Sequence, residues 1–171
     1  MRQGTPVLPR GSVGEVRARG PQLMAGYRNR PVETQDMVRD GWLYTGDLGE
    51  LDEDGYLFIR GRKKEMVIVG GFNVYPREVE EVLFTLKGVA DCGVIGVRDS
   101  YRGEVLQAFV VPDPDTALGA EDVLAHCTRN LVRYKVPVRV SFIDAMPRTT
   151  VGKLDRIALA ALAAQQAPEA A

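Results

Sequence analysis

The sequence predicts an α+β protein: a β-rich first third, then a compact unit built from a short β-sheet flanked by helices. Three observations carry this expectation. Residues 1 to 60 hold most of the Gly and Pro punctuation, set between short alternating stretches such as Gly14-Glu15-Val16-Arg17-Ala18-Arg19. After Arg62 the period changes to helical spacing, with Val79, Val82, Leu83 and Leu86 on one face. Beyond that, apolar runs rich in β-branched residues alternate with helical stretches.

In order along the chain, Asp52-Glu53-Asp54-Gly55 lies between Leu48–Leu51 and Tyr56–Ile59, and an Asp-Gly corner between such runs signals a hairpin. Met66–Val69 reads as an apolar strand ending on two glycines. Pro76 suits a first helical position, and Gly88 is placed to end that helix. Strands follow over Cys92–Val97 and Val105–Val111, then a helix from about Glu121 to Tyr134 whose Leu124, Cys127 and Leu131 share a stripe. Val138–Ile143 reads as a further strand. A last helix runs from about Leu154 through the alanines, and residues 165–171 form a frayed tail.

At 171 residues and 45% apolar content, the chain has material for one ordinary domain or one and a half small ones. Its 22 basic and 23 acidic side chains leave a net charge of -1, so no overall field favours nucleic acid or an anionic membrane. No apolar run approaches the roughly 20 residues of a membrane-spanning helix. Cys92 and Cys127 sit in apolar surroundings and read as buried free thiols of a reducing compartment, the cytoplasm, with peripheral membrane association as the outer limit. His126 is the single histidine, which rules out a multi-histidine metal site; no metal site is expected, and His126 reads as a helix-surface residue.

Several residues have chemistry to offer. Asp47, held by Thr45-Gly46, can accept two hydrogen bonds from a vicinal diol such as the ribose 2′ and 3′ hydroxyls, or it can simply cap a turn. Arg62 follows the hairpin, where its guanidinium fork can donate to ribose or phosphate oxygens; Arg62, Lys63 and Lys64 can equally be a solvated basic run. Gly70 and Gly71 at a strand end permit close approach of a ligand or backbone, or form an ordinary turn. Lys153, at the start of the last helix, meets the unfavourable end of the helix dipole, so stability does not ask for a cation there. On a Gly-containing loop its ammonium can reach a negative reacting centre, or it is a surface lysine.

Taken in order, Trp42-Leu43-Tyr44-Thr45-Gly46-Asp47, the run from Gly61-Arg62-Lys63-Lys64 through Val69-Gly70-Gly71-Phe72-Asn73-Val74-Tyr75-Pro76, and Pro147-Arg148-Thr149-Thr150-Val151-Gly152-Lys153 resemble the adenylate-forming enzymes. The resemblance runs from Gly14-Glu15-Val16 to Arg156, and the Val69–Pro76 segment is most similar to acyl-CoA and long-chain fatty-acid ligases. Amino-acid-activating members usually carry a basic residue before Thr-Gly-Asp and an Asp at the hinge, where this sequence has Tyr44 and Lys64.

The resemblance implies roles. Asp47 and Arg62 bind the nucleotide ribose and phosphate, and Lys64 is the hinge about which a C-terminal lid domain swings. Gly71, with Gly70, lines the tunnel for the phosphopantetheine arm of CoA. Lys153 contacts the substrate carboxylate and the α-phosphate as the acyl adenylate forms. It implies residues 1–63 as the distal β-rich subdomain of an incomplete large domain, 64–164 as the lid, and 165–171 as a flexible tail. The substrates implied are a carboxylic acid of the fatty-acid class, ATP and CoA.

The family's Ser/Thr/Gly-rich phosphate loop, its Thr-Glu segment and its acyl pocket have no counterpart in this sequence, and Gly152-Lys153 lacks the remaining residues of a nucleotide-triphosphatase loop. Mg2+ bound with ATP would fall mainly to that other part, which can act in trans, and the chain is expected to be inactive alone. Two other readings stay open: a non-catalytic module binding nucleotide, CoA or a partner, and the lid of an aryl- or amino-acid-activating enzyme.

Overall fold

The computed structural model describes residues 7–166, and the chain divides into two compact units between Lys64 and Glu65.

The first unit is a four-stranded antiparallel sheet organised on one long strand. This strand, β3 (Trp42–Leu51), pairs with β1 (Gly14–Ala18) along one edge, and with β2 (Val38–Arg39) and then β4 (Leu57–Arg62) along the other. The β3–β4 corner is the expected Asp-Gly hairpin: Asp52 Oδ1 accepts the Tyr56 N–H at 2.7 Å, and Gly55 takes φ +90°. A second Asp-Gly corner joins β2 to β3, with Asp40 at φ +49° and Gly41 at +75°, the two positive values that a tight two-residue hairpin turn demands. Before it stands a short helix, α1 (Pro31–Met37), which has no buried residue and which periodicity alone did not predict. The core of this unit is thin. Leu48 is its one large buried apolar side chain among the described residues, while Tyr56, Leu57, Phe58 and Ile59 of the hairpin are exposed.

The second unit is a sheet between helices, which confirms the expected α+β class. Its strands are β5 (Val67–Val69), β6 (Phe72–Val74), β7 (Val89–Asp99), β8 (Gly103–Pro112) and β9 (Arg139–Phe142), with β9 parallel to β8 and the other pairs antiparallel. Helices α2 (Pro76–Phe84) and α3 (Ala120–Asn130) cover one face, and α4 (Arg156–Gln166) covers the other. Strand alternation builds both cores at once. Cys92 and Val94 face Val79, Leu83, Val123 and Cys127, whereas Ile95 and Phe109 face Leu159 and Ala163. At Gly93 the missing side chain is what lets α4 approach, since a Cβ there would lie 2.9 Å from Leu159 Cδ1 and 3.1 Å from Leu154 Cδ2.

Several expectations need correction. Helix α2 starts at Pro76 as expected but ends at Phe84; Leu86 still packs on the core from the following turn, and Gly88 adopts φ +96°. Helix α3 stops at Asn130 rather than Tyr134, because Asn130 Nδ2 donates to His126 O at 2.8 Å and Leu131 is extended at φ -126°, turning the chain towards β9. Its buried stripe is Val123 and Cys127, with Leu124 half-buried. His126 is not a plain surface residue: Nε2 lies 2.9 Å from Thr85 Oγ1 and 3.1 Å from Val82 O, bridging α3 to the end of α2. Helix α4 begins at Arg156, not Leu154, and holds Gln165 and Gln166 of the expected tail; residues 167–171 lie outside the described range. Both cysteines are buried and free. Among the described residues no helix is long and apolar enough to cross a membrane.

Candidate functional site

Strand pairing brings Asp47 and Arg62 together across fifteen residues of sequence. They are register partners on β3 and β4, and Arg62 Nε donates to Asp47 Oδ1 at 2.9 Å. Thr45 Oγ1 holds the approach to Asp47 by donating to Val16 O at 2.8 Å and accepting the Asp47 N–H at 3.1 Å. Gly46, at φ +74°, makes the turn in the strand. The pair is solvent-accessible, with Arg62 about half exposed and Asp47 about a third. The bond engages Nε and Oδ1, and the accessible pair sets an acceptor beside donors, which suits a diol next to a phosphate.

Lys64 is the middle residue of a 3-10 turn, Lys63–Glu65, placed at the boundary between the two units, and it is exposed. Its neighbour Lys63 is tied to Glu15 Oε2 at 3.1 Å, while Lys64 has no ion pair among the described residues.

Gly70 and Gly71 are the two turn residues between β5 and β6, where Val69 pairs with Phe72. Their φ angles are +55° and +87°, which explains both glycines by backbone conformation. A Cβ at either position would meet nothing within 4 Å, so the turn stands open. A second backbone does approach the turn, since Gly70 N donates to Arg102 O at 3.2 Å, while the side facing an added Cβ is empty. Beside the turn, Phe72 and Tyr134 stack with ring centroids 4.4 Å apart.

Lys153 closes a tight turn. Thr149 N donates to Lys153 O at 2.7 Å, Gly152 N donates to Thr149 O at 2.8 Å, and Lys153 N donates to Thr149 Oγ1 at 3.2 Å. Arg148 anchors the turn to β7 through an ion pair with Asp91. The Lys153 side chain is exposed, and Nζ has no hydrogen-bond partner among the described residues. The sequence-based reason for singling it out needs correction, because Lys153 does not open α4. Asp155 caps that helix, accepting from Ile157 N at 3.1 Å and Ala158 N at 3.0 Å, and the first helical residue is Arg156.

The dipole argument therefore lands on Arg156, a residue that sequence reasoning passed over. Its guanidinium donates from Nε to Glu65 Oε2 at 2.9 Å, from Nη1 to Glu80 Oε1 at 2.7 Å and Val94 O at 2.6 Å, and from Nη2 to Glu80 Oε2 at 3.3 Å. Glu80 Oε1 also accepts the Val94 N–H at 2.9 Å. Burial works against the charge of Arg156, but the hydrogen bonds and charges of Glu80 and Glu65 outweigh it and hold its pKa above the ordinary arginine value. A cation in the first turn of a helix was the one signal available in the sequence, and its two glutamate partners were not legible there.

The glycine turn and the Lys153 turn stand near opposite ends of β7. Val69, beside Gly70, pairs with Gly103, which pairs with Asp99 at the end of β7, while Arg148 is ion-paired to Asp91 near its start. From Asp91 to Asp99 is a run of strand spanning roughly 25 Å. The two features are thus separated along the length of β7.

Residues 78–153 match the family of AMP-binding enzyme C-terminal domains. Over 143 residues the chain is 47% identical to a long-chain-fatty-acid–CoA ligase of Bacillus subtilis strain 168, a match covering 84% of this chain and 26% of that protein. Among solved structures, ATP-bound MatB from Rhodopseudomonas palustris is similar with a TM-score of 0.83 and 41% identity, over 89% of this chain and 30% of that one. The o-succinylbenzoate CoA synthetase MenE from Bacillus subtilis, in complex with its acyl-adenylate intermediate OSB-AMP, is similar with a TM-score of 0.85 and 36% identity, over 89% and 31%. The chain spans about a quarter of the length of the curated relative it matches.

Proposed function

The chain belongs to the adenylate-forming enzymes, whose AMP-binding C-terminal domain it contains, and on that premise we propose that it is the lid-bearing portion of an ATP-dependent acid–thiol ligase acting on a fatty acid. In the first half-reaction a carboxylate oxygen attacks the α-phosphorus of ATP, and the bond to pyrophosphate breaks. In the second, the CoA thiol loses its proton, its sulfur bonds to the acyl carbon, and AMP leaves with the former carboxylate oxygen.

Both steps build charge on oxygen, and the residues divide between them. Asp47 accepts from the ribose hydroxyls while Arg62, which orients it, donates to ribose or phosphate oxygen. Lys153 brings an unpaired ammonium to the carboxylate and α-phosphate in the first step. Rotation about Lys64 then withdraws Lys153 and brings the Gly70-Gly71 turn beside the path of the thiol arm. Asp47 has one oxygen committed to Arg62, so these residues do not offer a ligand set for the Mg2+ that accompanies ATP, and no step here runs through it.

The observation that carries this reading is the placement of Lys153 and the open glycine turn near opposite ends of β7. That separation supports a lid that serves the two half-reactions in turn. The fatty-acid assignment rests on the Bacillus subtilis relative.

The test is ATP- and CoA-dependent thioester formation across carboxylates of graded length, with this chain alone and with a large-domain fragment of a close relative supplied in trans. Thioester formed on mixing, strongest with long chains, is the expected result. No thioester from any acid in either arrangement overturns the reading.

A further inference from the structure

Arg156 occupies a position between two features that the ligase reading uses separately. On one side its Nε bonds Glu65, the last residue of the 3-10 turn and the neighbour of Lys64. On the other, the chain runs back three residues from Arg156 to Lys153, through Leu154, which packs against Gly93, and Asp155, whose N–H donates to Pro147 O at 2.9 Å. Between them Nη1 grips Glu80 on α2 and Val94 O on β7. The guanidinium is largely buried, with 23% of its side chain exposed. A planar fork making bonds in several fixed directions transmits orientation as a flexible ammonium does not.

We propose that Arg156 is a positioning residue that locks the Lys153 turn to Glu65, beside the hinge, so that backbone rotation at Lys64 carries Lys153 as one rigid lever. The role assigned to the lever rests on the ligase reading above; the mechanical coupling does not. Glu80 holds the Lys153 side of the lever, through Arg156, to the sheet. Glu65 attaches the hinge side.

Two carboxylates therefore have separable effects. Loss of Glu65 releases the hinge turn while Glu80 still fixes Arg156 and the segment leading to Lys153. Loss of the guanidinium fork releases both.

Amide hydrogen exchange on the 171-residue chain, with thermal unfolding recorded alongside, tests this directly. In Glu65→Gln, exchange at residues 63–66 is expected to rise about tenfold, with residues 149–155 as in the wild type. In Arg156→Lys, which keeps the charge and loses the fork, both segments are expected to rise about tenfold while β7 and β8 keep their protection. Unchanged protection at 63–66 in Glu65→Gln, or loosening in Arg156→Lys that spreads evenly over the sheet or spares 149–155, overturns the coupling.

In the trans-complemented enzyme, Glu65→Gln is expected to slow steady-state thioester formation about fivefold, while pyrophosphate release and thioester formation from preformed acyl-AMP, each measured alone, stay within about twofold. Equal loss in all three would mark a merely structural ion pair. If the wild type shows no activity on mixing, the ligase reading fails, and the exchange pattern still decides the coupling.

Discussion

Asp47 and Arg62 face each other across β3 and β4 as register partners, with Arg62 Nε 2.9 Å from Asp47 Oδ1. An accessible pair of this kind contributes less than about 1 kcal/mol to stability. Asp47→Asn should therefore change the urea unfolding free energy by at most about 0.5 kcal/mol. Its effect should appear in the nucleotide: KM for ATP in the complemented enzyme rises about tenfold or more, because a hydrogen bond to a charged acceptor is lost. A large loss of stability with unchanged KM would make Asp47 a structural residue.

Lys153→Ala separates chemistry from folding even more sharply. The side chain is exposed and its ammonium unpaired among the described residues, so unfolding should shift by no more than about 0.5 kcal/mol. Adenylation, followed by pyrophosphate release, should fall roughly 100-fold to 1000-fold, as on removal of a preorganised charge-stabilising group. Thioester formation from preformed acyl-AMP should change far less. Equal loss in both half-reactions would remove Lys153 from its assigned role.

Gly71 tests conformation against space. At φ +87° with nothing within 4 Å of an added Cβ, Gly71→Ala meets strain but no clash. The expected cost is about 1 kcal/mol by chemical denaturation, and Gly71→Asn should cost less because Asn tolerates the left-handed region. Gly71→Leu should fold with similar strain yet slow thioester formation much more than adenylation. An equal effect on the two half-reactions would leave the glycine with its turn alone.

The buried thiols set an alkaline limit on stability. Burial first, then the neighbouring charges of Glu80 and Asp91, pushes the Cys92 thiol from 9.0 up to about 12. Burial alone pushes Cys127 from 9.0 up to about 11. The unfolded chain releases these protons first, so their contribution is whole below about pH 9 and is lost as pH rises through about 11 and 12. In urea titrations above pH 9, a Cys92→Ala, Cys127→Ala double variant should show a lower starting stability but a shallower decline than the wild type. Parallel slopes would contradict the assignment. Thiol reagents at pH 8 should likewise react with the folded chain slowly and with the unfolded chain at once.

Local signals made much of the second unit legible. Pro76 at a first helical position and Val79 with Leu83 on one stripe gave α2 directly, and the β-branched runs gave β7 and β8. The same Asp-Gly logic that located the β3–β4 corner also marks Asp40-Gly41, which went unread because β2 has only two residues. Helix α1 was illegible for a physical reason: it buries nothing, so it carries no apolar stripe. The end of α3 was misplaced because Leu131 continues the helical pattern while Asn130 draws its side chain back onto His126 O. Among the candidate site residues, Asp47, Arg62, Lys64, Gly70, Gly71 and Lys153 all stood out as motif positions. Arg156 was not, because its meaning lies in Glu65 and Glu80, 91 and 76 residues away in sequence.

By itself the sequence determined the α+β class and the residue types at each motif, since periodicity and turn chemistry are local properties of the chain, and the likeness of those motifs to a known family pointed to the adenylate-forming enzymes. Only the tertiary structure decided that Asp47 meets Arg62, that Lys153 and the glycine turn lie near opposite ends of one strand, and that a single guanidinium joins α4 to α2, β7 and the residue beside Lys64. These are relations between distant segments, set by strand register and by which helix face meets the sheet, and no local pattern encodes them.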